Sequence, residues 1–309
     1  MKFGHYLRAW WRLSRVPFLP VGILPLTLGF FLAGRWGYTG PLGLYLLSVA
    51  AVTLIMWMAY YLGEWNDIEG DRLNQAFNRF SGGSRVFVMK WIPPWVSLLL
   101  GYGSLVGAVL IGLFIYFQYQ TGPWTLPLGG IGIFFGFFYS SKPLRWSYRG
   151  WGEILIGFCY GWLPVATGFY LLTGFFSHQA FLLSIPISLS VFNVILINEF
   201  PDEEADRAVG KRNLVVRYGK ERIGDFYIGA SILAAFSLIK VILVAGKSTP
   251  LLFVASAFPI LLTSRNLFRM MKGDFQSRQR LEILCRDTLL VNLSMGFILT
   301  VQQALELID

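Results

Sequence analysis

The chain has 309 residues, of which 55% are hydrophobic and only 14% charged. Soluble domains carry roughly 25% charged residues, so the composition excludes an ordinary water-soluble domain and makes the bilayer the solvent. The net charge is +9, while two distant cysteines and two isolated histidines leave no spacing for a Cys/His metal site, a redox pair or a His-based triad.

The N-terminal stretch "MKFGHYLRAWWRLSRVPFLPVG" is basic, then apolar. Its cationic part is long and aromatic, and no small-residue cleavage site follows, so it reads as an amphipathic cytoplasmic segment leading into the first span rather than a signal peptide. A spanning helix needs about 20 largely apolar residues. Charge-free runs, divided at turn signals, predict an all-α membrane protein with nine transmembrane helices. They lie at 16–34, 41–63, 94–117, 124–140, 154–173, 180–200, 226–245, 248–264 and 288–305. "QYQTGPW" divides the third span from the fourth, "TGFFSHQ" the fifth from the sixth, and "GKSTP" the seventh from the eighth. The expectation is one integral membrane domain over residues 1–309.

The charges give this layout a direction. Of the 26 Lys and Arg, 23 fall in the N-terminal segment and in the loops after spans two, four, six and eight, leaving Arg35, Lys240 and Lys247 for the other side. Cytoplasmic loops carry the Lys/Arg excess. The N-terminus is therefore expected in the cytoplasm and the C-terminus outside, in a prokaryotic plasma membrane. The positive charge then reflects membrane topology, and no nucleic-acid partner is implied.

The acids cluster after spans two and six. "GEWNDIEGDR" (63–72) aligns on "NEFPDEEADR" (198–207) at an offset of 135, pairing Glu64 with Glu199, Asp67 with Asp202, Asp71 with Asp206 and Arg72 with Arg207. Asp67 and Asp71 lie one turn apart on one helix face, as do Asp202 and Asp206, with Asn198 a turn further back. Like charges at this spacing repel, so a cation is expected between them. Mg²⁺ suits such sites, since it takes oxygen ligands from one or two carboxylates plus substrate phosphates. Two such motifs could hold Mg²⁺ and a diphosphate. Lys142 and Arg145 in "YSSKPLRWSYRGWGE", with Arg72 and Lys211, are the candidate cations for the departing diphosphate. Off the ligand face, Glu203 and Glu204 are expected to be solvated or paired with the basic tail.

These motifs resemble those of the UbiA superfamily of intramembrane prenyltransferases, over nearly the whole chain. The second signature, Asn198, Asp202 and Asp206, is complete; the first has Asp67 and Asp71 but Gly63 where the family carries Asn. "GKRNLVVRYG", "YSSKPLRWSYRGWGE" and "NRFSGGSRV" are similar to the dihydroxynaphthoate (menaquinone) branch. The resemblance implies nine helices around a central cavity capped by cytoplasmic motif loops. It also implies Mg²⁺-dependent transfer of a polyprenyl group from its diphosphate to an aromatic acceptor in the lipid phase. Asp67, Asp71, Asp202 and Asp206 would be catalytic through the metal, with Asn198 a further ligand, and Tyr139 and Phe200 would line the cavity and shield an allylic cation. The same fold acting on a chlorin, haem, hydroxybenzoate, homogentisate or glycerol-phosphate lipid stays open. A transporter fits less well, because its charges belong near the bilayer midplane and these sit at span ends.

Overall fold

A computed structural model describes residues 3–244 and 250–308. The "GKSTP" boundary falls mostly, and Lys247 entirely, outside the described residues. Helices and connecting turns make up the described chain, with no β-strand among the described residues. In lipid a helix satisfies its own backbone polar groups, so this is the expected solution for so apolar a sequence.

Helix α1 (Phe3–Leu13) is amphipathic: Ala9 and Leu13 are buried, while Tyr6, Leu7, Trp10 and Trp11 are exposed. It bends by 41° into α2 (Pro20–Arg35). Helix α3 (Leu42–Asn66) and the six-residue α4 (Ile68–Leu73) follow, then α5 (Trp95–Tyr119) and α6 (Thr125–Phe138). The next rod begins as α7 (Gly152–Gly157), passes through one π-helical turn at Phe158–Trp162 and continues as α8 (Leu163–Thr173). Pro164 explains that turn, since it has no N–H to close the ordinary bond to the Tyr160 carbonyl. Then come α9 (His178–Glu199), the six-residue α10 (Glu203–Ala208), α11 (Leu214–Val244, broken at Gly219), α12 (Pro250–Met271) and α13 (Arg278–Ile308).

Each of the nine predicted segments contains a helix, but the helices are not equivalent. Six of them are long and apolar enough to cross a membrane, or seven if α1 and α2 count as one bent span, among the described residues. Helix α6 has 14 residues and at 1.5 Å per residue reaches only about 21 Å, against a hydrocarbon core of about 30 Å. The breaks predicted at "QYQTGPW" and "TGFFSHQ" are present. Gln120 and Gly122 turn the chain with positive φ, and Gly174 does so before Ser177, whose hydroxyl caps α9 by accepting from the Gln179 and Ala180 N–H groups.

The sequence duplication is also a duplication of form. A long helix, a break and a six-residue helix occur twice, and α4 and α10 are separated by the same 135 positions as the two acidic motifs. In the second copy Pro201 lies in the break. Its missing N–H helps end α9 at Glu199, so the helix stops there rather than merely kinking. Helix α3 packs on α5, α9 on α11, and α4 on α10, which brings the two motifs face to face.

Helices α2 and α8 approach unusually closely because glycines meet there. A Cβ on Gly29 would run into the Val165 carbonyl, and one on Gly168 into the Leu26 carbonyl. Small residues at such crossings let backbones touch where lipid supplies no hydrophobic drive. The Gly168→Ala protein should therefore lose about 1–3 kcal/mol of stability, the usual cost of overpacking, read as a lower midpoint of thermal unfolding in detergent. An unchanged midpoint would show that the two helices can part without cost.

Candidate active site

A cavity of about 970 Å³ lies among the helices. Its deep part is apolar, with Val52, Ile55, Met56, Leu128 and Leu163 on the walls, and its other end carries Asp67, Asp71, Asn198, Asp202, Asp206 and Lys211. A space that is apolar at depth and ionic at one end suits a molecule with a hydrocarbon tail and an anionic head.

Lys211 ties the two motifs together. Its Nζ lies 3.2 Å from Asp67 Oδ1 and 3.1 Å from Asp206 Oδ1. Burial alone pulls the ammonium pKa down, but Asp67 and Asp206 more than offset this and hold it well above its ordinary value. Tyr148 donates its hydroxyl to the same Asp67 oxygen at 3.2 Å and lies beneath both Lys211 and the Arg145 guanidinium, 4.3 Å from its ring centre. Burial, with Asp67 next to it, pushes the Tyr148 phenol up to about 12, so it stays a hydrogen-bond donor.

The loop after α4 reaches across to the second motif. Asn74 Nδ2 donates to Asp202 Oδ1 at 2.6 Å, and the Gly82 N–H donates to Asp202 Oδ2 at 3.2 Å. Gly82 and Gly83 both have positive φ, and a Cβ on Gly83 would collide with the Asp71 carboxylate. Only glycine therefore lets this loop close over the acids. Arg85 donates to the Asp71 backbone carbonyl while lying 4.2 Å from the Phe77 ring. Asn213 holds Asp206 Oδ2 at 2.8 Å, and Glu153 accepts the Leu214 N–H at 2.6 Å, fixing the start of α11 beside the site.

Lys211 pairs with Asp67 and Asp206 and leaves Asp71 and Asp202 without an ion pair among the described residues. Burial first, then Glu64, Asp67 and Asp202, push Asp71 up to about 8; burial, then Asp206, push Asp202 up to about 7. Asp206 is raised as well, chiefly by burial. Asn198 Oδ1, on the cavity wall, is buried with no donor. These are hard oxygen donors short of positive charge, and they fit Mg²⁺. Among the described residues no three His, Cys, Asp or Glu side chains converge enough to hold a metal by themselves. That suits an ion that takes its remaining ligands from water and phosphate.

The profile of the UbiA prenyltransferase family matches residues 22–284. The chain belongs to that family. It is 26% identical over 293 residues to 1,4-dihydroxy-2-naphthoate octaprenyltransferase of Bacillus subtilis (strain 168), covering 94% of this chain and 90% of that protein. It is also 26% identical over 258 residues to 2-carboxy-1,4-naphthoquinone phytyltransferase of a Synechocystis strain, covering 81% and 79%. In three dimensions it is similar to a UbiA homolog from Aeropyrum pernix K1, with TM-score 0.67, 17% identity, and 92% and 97% of the two chains covered. A UbiA homolog from Archaeoglobus fulgidus, solved with GPP and Mg²⁺, gives TM-score 0.61 at 17% identity, covering 95% and 99%. The structural likenesses establish the fold. The chain is thus a membrane prenyltransferase.

In this prenyltransferase the predicted acids and Asn198 all line the cavity, as do Lys211 and Tyr139. The other three predicted cations do not. Arg72 and Lys142 are exposed, and Arg145 stacks on Tyr148 while its Nε donates to the Ser140 carbonyl. Phe200 is fully buried but belongs to a packing cluster with Ile197, Val215 and Phe275 rather than to the cavity wall, because the end of α9 turns its ring toward α11 and α13. Glu203 pairs with Arg207 at 2.7 Å and Lys220 at 3.3 Å, off the ligand face. Sequence reasoning missed Asn74, Tyr148 and Arg15. Arg15 lines the cavity and binds Glu64 at 2.8 Å, and Ser84 donates to the same carboxylate. Arg15 lies in the N-terminal basic segment, where it reads as a topology charge; only its position just before the bend marks it out.

The raised carboxylates set a pH dependence. Between the ordinary value of 3.8 and about 7 for Asp202, or about 8 for Asp71, the folded state holds more protons than the unfolded chain. The metal-free protein should therefore lose stability as pH rises through that window and level off above it. Thermal unfolding in EDTA should show this decline, and added Mg²⁺, which needs the ionised carboxylates, should reduce it. A flat profile in EDTA would show that these acids are compensated some other way.

Proposed function

We propose that the chain transfers a polyprenyl group from polyprenyl diphosphate to an aromatic quinone precursor, dihydroxynaphthoate, in menaquinone synthesis, and that it requires Mg²⁺. The observation that carries this reading is the pair of Asp motifs facing each other, bridged by Lys211, at the ionic end of an apolar cavity. The relative matched over 94% of this chain carries dihydroxynaphthoate in its name, and the second also acts on a naphthoquinone, as named. Chlorophyll synthase of Arabidopsis thaliana matches only 60% of this chain, which favours the naphthoate acceptor over a chlorin.

Asp67, Asp71, Asp202, Asp206 and Asn198 would hold Mg²⁺, which when bound supplies positive charge to the diphosphate oxygens. Lys211 is already placed to take up charge on the same group as the C–O bond breaks, the stage at which binding accelerates chemistry. The apolar walls exclude water from the allylic cation, and the faces of Tyr139, Phe135 and Tyr160, all on the cavity wall, shield it. The acceptor carbon then attacks, and the ring loses a proton or its carboxyl group. On this reading residues 1–309 act as one transmembrane domain with the motif loops in the cytoplasm.

Membranes carrying the Asp202→Asn protein should lose prenyl transfer by about 100-fold or more, the scale of removing one group that stabilises a transition state. EDTA should abolish turnover, and Mg²⁺ should restore it. Offered a panel of aromatic acceptors with one prenyl diphosphate, the wild type should prenylate dihydroxynaphthoate preferentially. A product formed only from a chlorin or a glycerol-phosphate lipid would overturn the acceptor assignment, and near wild-type activity of Asp202→Asn would overturn the metal role.

A further inference from the structure

The two copies of the acidic motif are not chemically equal, and the inequality sits at one position. At the offset of 135, Asn198 in the second copy corresponds to Gly63 in the first. The backbone around them matches closely. The Asp71 N–H bonds the Asp67 carbonyl at 2.9 Å, and the Asp206 N–H bonds the Asp202 carbonyl at 2.8 Å. Both Gly63 and Asn198 face the cavity. Asn198 brings a side-chain oxygen that is buried and accepts from no donor. Gly63 brings nothing, and the space beside it is free: a Cβ there would meet only the Ser140 hydroxyl, at 3.9 Å. That hydroxyl is itself buried without a partner. At this position the first copy thus lacks the side-chain oxygen that the second copy has, and a Cβ there makes no close contact.

Their carboxylates are also engaged differently. In the first copy Asp67 is held by the Lys211 ammonium and the Tyr148 hydroxyl. In the second, Asp206 shares the same Lys211 ammonium and accepts from the Asn213 amide, while Asp202 accepts only from neutral groups, the Asn74 amide and the Gly82 N–H. Lys211 thus bears on one aspartate of each copy, and what separates the copies is the Tyr148 hydroxyl on Asp67 and the oxygen present at Asn198 but absent at Gly63.

We propose that the two motifs bind their divalent ions in sequence: Asn198, Asp202 and Asp206 take the first ion from the enzyme alone, and Asp67 and Asp71 hold a second only when diphosphate supplies the oxygen that Gly63 lacks. This rests on the prenyl-transfer reading and adds an order of assembly to it. Substrate becomes part of the first motif's ligand set, so an enzyme without diphosphate carries one ion and cannot complete the site.

Mn²⁺ is the probe, titrated against the full-length protein in detergent, with free Mn²⁺ read from its electron paramagnetic resonance signal. Two classes of site should separate by about 10- to 100-fold, the range by which single supporting groups alter metal affinity. Inorganic diphosphate should close most of that gap. Gly63→Asn should tighten the weak class without diphosphate, Gly63→Ala should not, and Asn198→Ala should weaken the tight class. A Cβ at Gly63 makes no close contact, and an unchanged unfolding midpoint checks that both variants fold. Two indistinguishable classes in the wild type, or equal effects of Gly63→Ala and Gly63→Asn, would overturn the proposed order and leave the prenyl-transfer reading standing. If no Mn²⁺ binds even with diphosphate, the prenyl-transfer reading falls as well.

Discussion

Gathering four aspartates at the end of an apolar cavity is electrostatically unfavourable, and the site is organised around that cost. Each carboxylate loses water and gains like-charged neighbours, and both effects favour the neutral form. Lys211 is the protein's own answer. It is a buried ammonium placed between Asp67 and Asp206, and so a direct ionic link between the two acidic motifs. Its single charge leaves Asp71 and Asp202 only partly compensated. That residual demand for positive charge is what makes this set of buried acids fit a metal ion.

The helices supply the geometry this requires. A long helix ends, the chain turns within a few residues, and a six-residue helix carries the second aspartate. Because the same construction occurs twice and α4 packs on α10, the acids approach from opposite sides. The glycine contact between α2 and α8 and the π-turn beside Cys159 and Tyr160 shape the apolar part behind them. Charge is thereby confined to one end of the cavity, and the other end remains a hydrocarbon environment.

Much of this was legible in the sequence, because its signals were local. A repeat of D-x-x-x-D at one offset, each copy closing an apolar run, marks both the helix ends and the acids. Asn198, Lys211 and Tyr139 were legible for the same reason, since they lie within or beside those runs. Contacts that cross the fold left no trace. Asn74 meets Asp202 across 128 positions, and Arg15 meets Glu64 across 49. Nearness in sequence misdirected the choice of cations: Arg72 follows Asp71 directly, yet on a helix the next residue points about 100° away, and it is exposed. Phe200 shows the same limit, lying beside the motif in sequence but inside a packing cluster in space. Helix length was the least legible feature, because hydropathy delimits an apolar run but not where turns cut it, as at α6.

The bridge made by Lys211 also orders events in the life of the chain. Synthesis runs from the N-terminus, and the first motif emerges long before residue 211. Asp67 meets the Tyr148 hydroxyl only once residue 148 is made, Asn74 meets Asp202 only once residue 202 is made, and the ammonium comes last. Within the first half Glu64 has Arg15 and Ser84 as partners, whereas the ammonium on Asp67 comes from the second half. The paired motifs are therefore complete only when residues from both halves of the chain are in place.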